Sequence, residues 1–128
     1  MVGIVGVFVI AHGLVHALYF VKSDDPAFPM TAARSWLVTR AGIPLRPVRV
    51  IVACLAAGAL IGFCLLALSY WGFLVPAEWL TGLALVSATL SLLLIAVTWN
   101  VQFVVGVAIN IGIIYWALTA GDVLGHRY

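Results

Sequence analysis

The sequence predicts an all-α fold, an integral membrane four-helix bundle with a long loop between spans one and two, and three observations predict it. Hydrophobic residues make up 66% of the 128-residue chain and charged residues only 8%, whereas soluble domains carry about 25% charge. The mean hydropathy is +1.25. Four apolar runs, at about 2–21, 48–74, 79–98 and 101–120, are each long enough to cross a hydrocarbon core of about 30 Å as a helix. Strands are disfavoured, because an open sheet cannot satisfy its backbone in lipid and four short segments cannot close a barrel. Residues 1–128 read as a single domain.

The first run, 2–21, is apolar except for His12, His16 and Tyr19. It lacks the basic start and small-residue cleavage site of a signal peptide, so it is expected to be a retained span. The connection after it, 22–47, holds Pro26, Pro29, Pro44 and Pro47, and Asp24 and Asp25 mark a turn. Residues 31–41 within it are expected to form a short amphipathic segment on the membrane surface, with Trp36, Leu37 and Val38 on one side and Arg34 and Arg40 snorkelling.

Pro76 opens a tight hairpin at 75–78 between spans two and three, flanked by the belt aromatics Tyr70, Trp71 and Trp79. Trp99 and Asn100 turn the chain into span four, so spans two to four run up, down and up. Lys22, Arg34, Arg40, Arg46 and Arg49 all fall between or just inside spans one and two. By the positive-inside rule that loop is cytoplasmic and both termini face outward. A net charge of +2 is too small to suggest a nucleic-acid partner. Cys54 and Cys64 lie about 15 Å apart along one helix and cannot pair.

Candidate chemistry concentrates in span one. His12 and His16, spaced i and i+4, share a helix face that Tyr19 extends. Polar groups in a span usually face a bundle interior or cavity, where they either bind a ligand or glue helices together. Asn110 is a buried amide in an apolar run and needs a partner. It and the serines of span three are the candidates to face the histidines, with Tyr115 and Thr119 nearer the outer end. The ligand-binding set is therefore His12, His16, Tyr19 and Asn110. Gly13, Gly58, Gly62, Ser87, Ser91 and Gly106 read as small residues that let helices approach closely.

The H-G-x-x-H element of span one carries a resemblance, together with Ser35-Trp36-Leu37, residues 43–46, Ser87 and Ser91 in a span ending at Trp99, and G-x-x-x-N at Gly106 and Asn110. With these the chain resembles a family of small four-helix bacterial membrane proteins, common in actinobacteria and loosely labelled permease-like. The resemblance implies a bacterial inner-membrane location and no established reaction. The chain lacks the basic cluster between spans two and three associated with that family. A fainter similarity, limited to four spans and a His-Gly in the first, is to DoxX-like proteins of quinone and sulfur redox chemistry.

The expected cofactors are a quinone, haem or a transition metal, with His12 and His16 as the candidate metal ligands. Their count limits the last two. Two imidazoles on one face approach from the same side, so they cannot be the two axial ligands of one haem, and His126 lies in the tail. Without a buried carboxylate they are also an incomplete metal shell, which a homo-oligomer or a membrane-protein partner could complete. No nucleophile or paired acid/base set lies in the spans, so no catalytic residue is assigned. Two function classes follow: a binding or redox-accessory subunit, and an oligomeric permease or channel subunit whose stripe lines a path. A scaffold of a larger membrane complex is the third.

Overall fold

The first span begins as α1 (Val2–Val15) and tightens at His16 into a 3-10 turn that runs to Phe20. The change coincides with the His16 side chain, whose Nδ1 donates to the carbonyls of His12 at 3.1 Å and Gly13 at 3.2 Å. A side-chain donor inserted at the helical ladder is a common cause of such a local change. The computed structural model describes the backbone of residues 2–125 and the side chains of residues 3–120. His126 and Arg127 lie outside the described residues.

The long connection is not one amphipathic helix. Ala32–Arg34 forms a 3-10 turn, Ser35 breaks it, and α2 (Trp36–Thr39) is a single helical turn capped by the Ser35 hydroxyl. The reason is local: Ser35 sits at ψ 136° and accepts from the Leu37 amide, which favours a new helix start over continuation. Leu37 and Val38 pack on a cluster built from Ala32, Val48, Val52, Ala56 and Leu94. Arg34 turns back onto the Pro26 carbonyl at 3.0 Å. The segment therefore lies on the ends of the spans.

The second span, α3 (Leu45–Tyr70), is displaced towards the N-terminus relative to the apolar run that announced it. Pro44 caps it and Pro47 sits in its first turn, where a backbone N–H has no intrahelical partner to lose. At its far end Gly72 (φ 68°) turns left-handed. The Phe73 amide then donates to Leu68 and the Gly72 amide to Ser69, a Schellman stop. Phe73, Leu74 and Val75 are apolar but lie in the turn, which is why hydropathy alone extends the span too far. The Ser69 hydroxyl donates to the Pro76 carbonyl and pins that turn.

The third span is α4 (Leu80–Val97), and the fourth is α5 (Val104–Gly125), entered through a 3-10 turn at Val101–Phe103. All four spans are long and apolar enough to cross a membrane, and no strand occurs among the described residues. The chain is a multi-pass integral membrane protein. Helix α3 packs against both α1 and α4, and α4 packs against α5, which leaves the seam between α1 and α5 the loosest.

Small residues make these contacts close. A Cβ on Gly13 would stand 2.8 Å from the Cβ of Phe63, and one on Gly62 would overlap Ser87 Oγ. Gly58 meets Leu90 and Gly106 meets Ile95 at 3.0 and 3.3 Å by the same measure. All four glycines thus stand at helix contacts.

The loop seals the end of α4. The Trp36 indole donates to the Ala96 carbonyl at 2.7 Å, and the Ser35 hydroxyl donates to Val97 at 2.6 Å. Thr98 donates to Leu94 through both its amide and its hydroxyl. Three of the last four carbonyls of α4, which a helix end leaves without internal partners, are thereby satisfied.

Candidate functional site

His12 lies one turn above His16 because the helix repeat brings i and i+4 to one face. That face is turned towards α4 and α5. His12 Nε2 lies 3.2 Å from Asn110 Oδ1 on α5, and His16 Nε2 lies 2.8 Å from Ser91 Oγ on α4. Asn110 Nδ2 donates to the same Ser91 oxygen at 2.8 Å. Three spans are thus tied by one polar chain, His12, Asn110, Ser91, His16. Asn110 and Ser91 are fully buried, and His16 is 5% exposed, while His12 is only partly buried.

Phe63 of α3 supports the pair from behind. It is fully buried, its ring centroid lies 4.9 Å from that of His12 and 5.6 Å from that of His16, and Gly13 is what lets it approach. The two imidazoles stand nearly perpendicular, with centroids 5.5 Å apart. Phe8 stacks parallel to His12 at 6.5 Å.

Tyr19 is on the same face but forms a separate link. Its hydroxyl meets Thr98 Oγ1 at 2.7 Å, and because Thr98 donates its own proton to Leu94, the tyrosine is the donor. Tyr115 and Thr119 stay apart from the site. Tyr115 is 70% exposed, and Thr119 only bonds back to its own helix.

Two cavities flank the polar chain along the α1–α5 seam. One, of about 320 Å³, is lined by Val9, Leu66, Tyr70, Ile109, Ile113 and Trp116 among others and is almost wholly apolar. The other, of about 210 Å³, is lined by His12, His16, Tyr19, Ser91, Gln102 and Ile109 among others. Ile109, the neighbour of Asn110 on α5, borders both.

The hydrogen-bond inventory decides what the site can hold. Both nitrogens of His16 are engaged, so it cannot ligate a metal or haem iron without giving up a bond. His12 Nδ1 has no partner among the described residues, yet it is not sealed, since the one buried polar side-chain atom lacking a partner is Ser87 Oγ. One free nitrogen is far short of a metal shell, and no cluster of three His, Cys, Asp or Glu occurs among the described residues. His12 borders the second cavity and keeps one free nitrogen, which suits hydrogen bonding to an organic ligand.

Thr98 and Gln102 are the site neighbours that sequence reasoning passed over. Thr98 stands seven residues after Ser91, on the same helical face, and that spacing was the available signal. Ser91, read both as a small packing residue and as a candidate to face the histidines, is the hub of the polar chain. Comparison with family models, curated proteins and solved structures finds no match.

Proposed function

We propose that the chain is a membrane-embedded binding subunit that holds a lipid-soluble, ring-bearing ligand of the quinone class in the seam between α1 and α5. The observation that carries this reading is that His12, which keeps one free nitrogen, lines a cavity in a seam that is mostly apolar and loosely packed. A ligand reaching such a seam from the bilayer needs no aqueous route. Its ring and tail would lie against Ile95, Phe103 and Ile109, and its polar head would meet His12. Few polar groups in an apolar pocket are the usual composition of a small-molecule site.

The same proposal sets the chain in a bacterial cytoplasmic membrane, with the basic loop inside and the termini outside. It makes the chain an accessory to a redox partner or to a second copy of itself, because no paired carboxylate and base stands in the spans among the described residues. A through-path for solutes receives less support: Ser91 and Asn110 are fully buried and hydrogen-bonded to each other in the interior of the bundle.

The test is a titration of the protein in lipid nanodiscs with a decyl-substituted hydroquinone kept reduced, read by quenching of tryptophan fluorescence. Saturable quenching is expected, weakened about tenfold in His12→Leu by loss of one hydrogen bond to the head group. Quenching that never saturates, or an unchanged affinity in that variant, would overturn the proposal.

A further inference from the structure

The protons of the polar chain can be placed by counting donors. Carbonyl oxygens only accept, so His16 Nδ1, which faces the carbonyls of His12 and Gly13, carries a proton. His16 is buried, and the described carboxylates Asp24, Asp25 and Glu78 are all exposed in the connections. No counter-charge accompanies it among the described residues, and an unpaired buried charge is costly, so the ring is neutral. Its Nε2 is then a bare acceptor, and Ser91, 2.8 Å away, must donate to it.

Ser91 has one proton and has used it, so it can only accept from Asn110, which turns the amide nitrogen towards Ser91 and the amide oxygen towards His12. The opposite amide orientation would either set the Ser91 and Asn110 oxygens against each other as two acceptors or, if Ser91 donated to the amide, leave His16 Nε2 without a donor. His12 must then donate from Nε2 to Asn110 Oδ1. Its free Nδ1 is left with a lone pair and no proton.

We infer that the seam selects ligands by a hydroxyl donor, so that within the quinone class His12 Nδ1 takes the reduced, hydroquinone form in preference to the quinone. A quinone carbonyl and an unprotonated Nδ1 are both acceptors and repel, whereas a hydroquinone O–H completes the chain of donors from ligand to His12, Asn110, Ser91, His16 and the Gly13 carbonyl. The inference rests on the binding reading above. What it adds is the oxidation state recognised and the reason: a tautomer imposed from four residues away. Ser91 is a positioning residue in this scheme, since it fixes the direction of every bond between His16 and His12.

Two measurements test it. Nitrogen-15 NMR of histidine-labelled protein without ligand reads the tautomers directly. His12 is expected protonated at Nε2 and bare at Nδ1, and His16 the reverse. A proton on Nδ1 of neutral His12 overturns the inference whatever binds.

The second is competition among decyl hydroquinone, its dimethyl ether and the corresponding quinone in nanodiscs. The hydroquinone is expected to bind about tenfold tighter than either, the size of one hydrogen bond to a buried group. In Ser91→Ala, where the direction of the Asn110 amide is released, the preference is expected to shrink and both His12 tautomers to appear. Equal affinities for the three in the unaltered protein overturn the inference but leave the binding reading standing, provided that His12→Leu weakens them. No saturable binding of any of them overturns both.

Discussion

His12 Nε2 and Asn110 Oδ1 meet at 3.2 Å across the seam between α1 and α5, where the helices themselves are loosely packed. The bond closes the bundle as well as forming one wall of the site. Leu at either position leaves the other polar group unpaired. In Asn110→Leu both the His12 N–H and the accepting side of Ser91 lose their partner, so the single substitutions are expected to cost about 1–3 kcal/mol each. The double variant His12→Leu/Asn110→Leu is expected to cost less than their sum, with a coupling of about 0.6–1.7 kcal/mol, the range found for hydrogen bonds between membrane helices. Reversible unfolding in mixed micelles measures it. Strict additivity would show that the two side chains do not bond.

Gly13 is the second point of leverage. The atom that an added methyl would strike is the Cβ of Phe63, 2.8 Å away, which every residue but glycine carries. Gly13→Ala is therefore expected to destabilise by about 1–3 kcal/mol. Phe63→Leu should not rescue it. Gly62→Ala behaves differently, because the overlapping atom is Ser87 Oγ, with the Ser87 Cβ at 3.1 Å. Adding Ser87→Ala is expected to recover part of that loss, and thermal unfolding of the two pairs separates the cases.

The contrast between these helix contacts and the polar site shows what the sequence could express. An i, i+4 repeat is a property of one helix, so the histidine stripe is legible before any fold is known. The need of Asn110 for a partner is likewise local. Which partner it takes depends on helix rotation, and a serine such as Ser91 serves equally as a small packing residue or as a hydrogen-bond hub; only the rotation of α4 decides. The turn at 71–75 was hidden for another reason. Phe73 and Leu74 are as apolar as a span, and it is the left-handed backbone at Gly72 and Leu74, at φ 68° and 63°, that ends the helix. The docking of Ser35 and Trp36 on α4 depends on the meeting of distant segments, which composition does not record.

The lower link of the stripe should matter less than the upper. Tyr19 donates to Thr98, but Thr98 keeps its own bond to Leu94 when the tyrosine hydroxyl is removed. Tyr19→Phe thus leaves no buried donor stranded, and a loss of less than about 1 kcal/mol is expected. His16→Leu strands the Ser91 hydroxyl in the core and opens two backbone carbonyls, so about 2 kcal/mol or more is expected. Equal effects in unfolding experiments would contradict the bond assignments.

The loop cap gives a prediction that is independent of the site. Ser35 and Trp36 reach the Val97 and Ala96 carbonyls, and through them the loop after α1 is held against the end of α4. Ser35 also starts α2 by accepting from Leu37, so Ser35→Ala removes two bonds at once. A cap of this kind is worth about 1 kcal/mol. Most of that loss should appear locally, because α2 is a single turn and owes its position to these contacts. Amide hydrogen exchange is expected to accelerate in residues 31–41 and at the end of α4, while the amides of α3 around Phe63 keep their protection. Acceleration spread evenly through all four spans would mean that the loop stabilises the bundle as a whole. Unchanged exchange in residues 31–41 would mean that the packing of Leu37 and Val38 on Val48 and Val52 suffices to hold it.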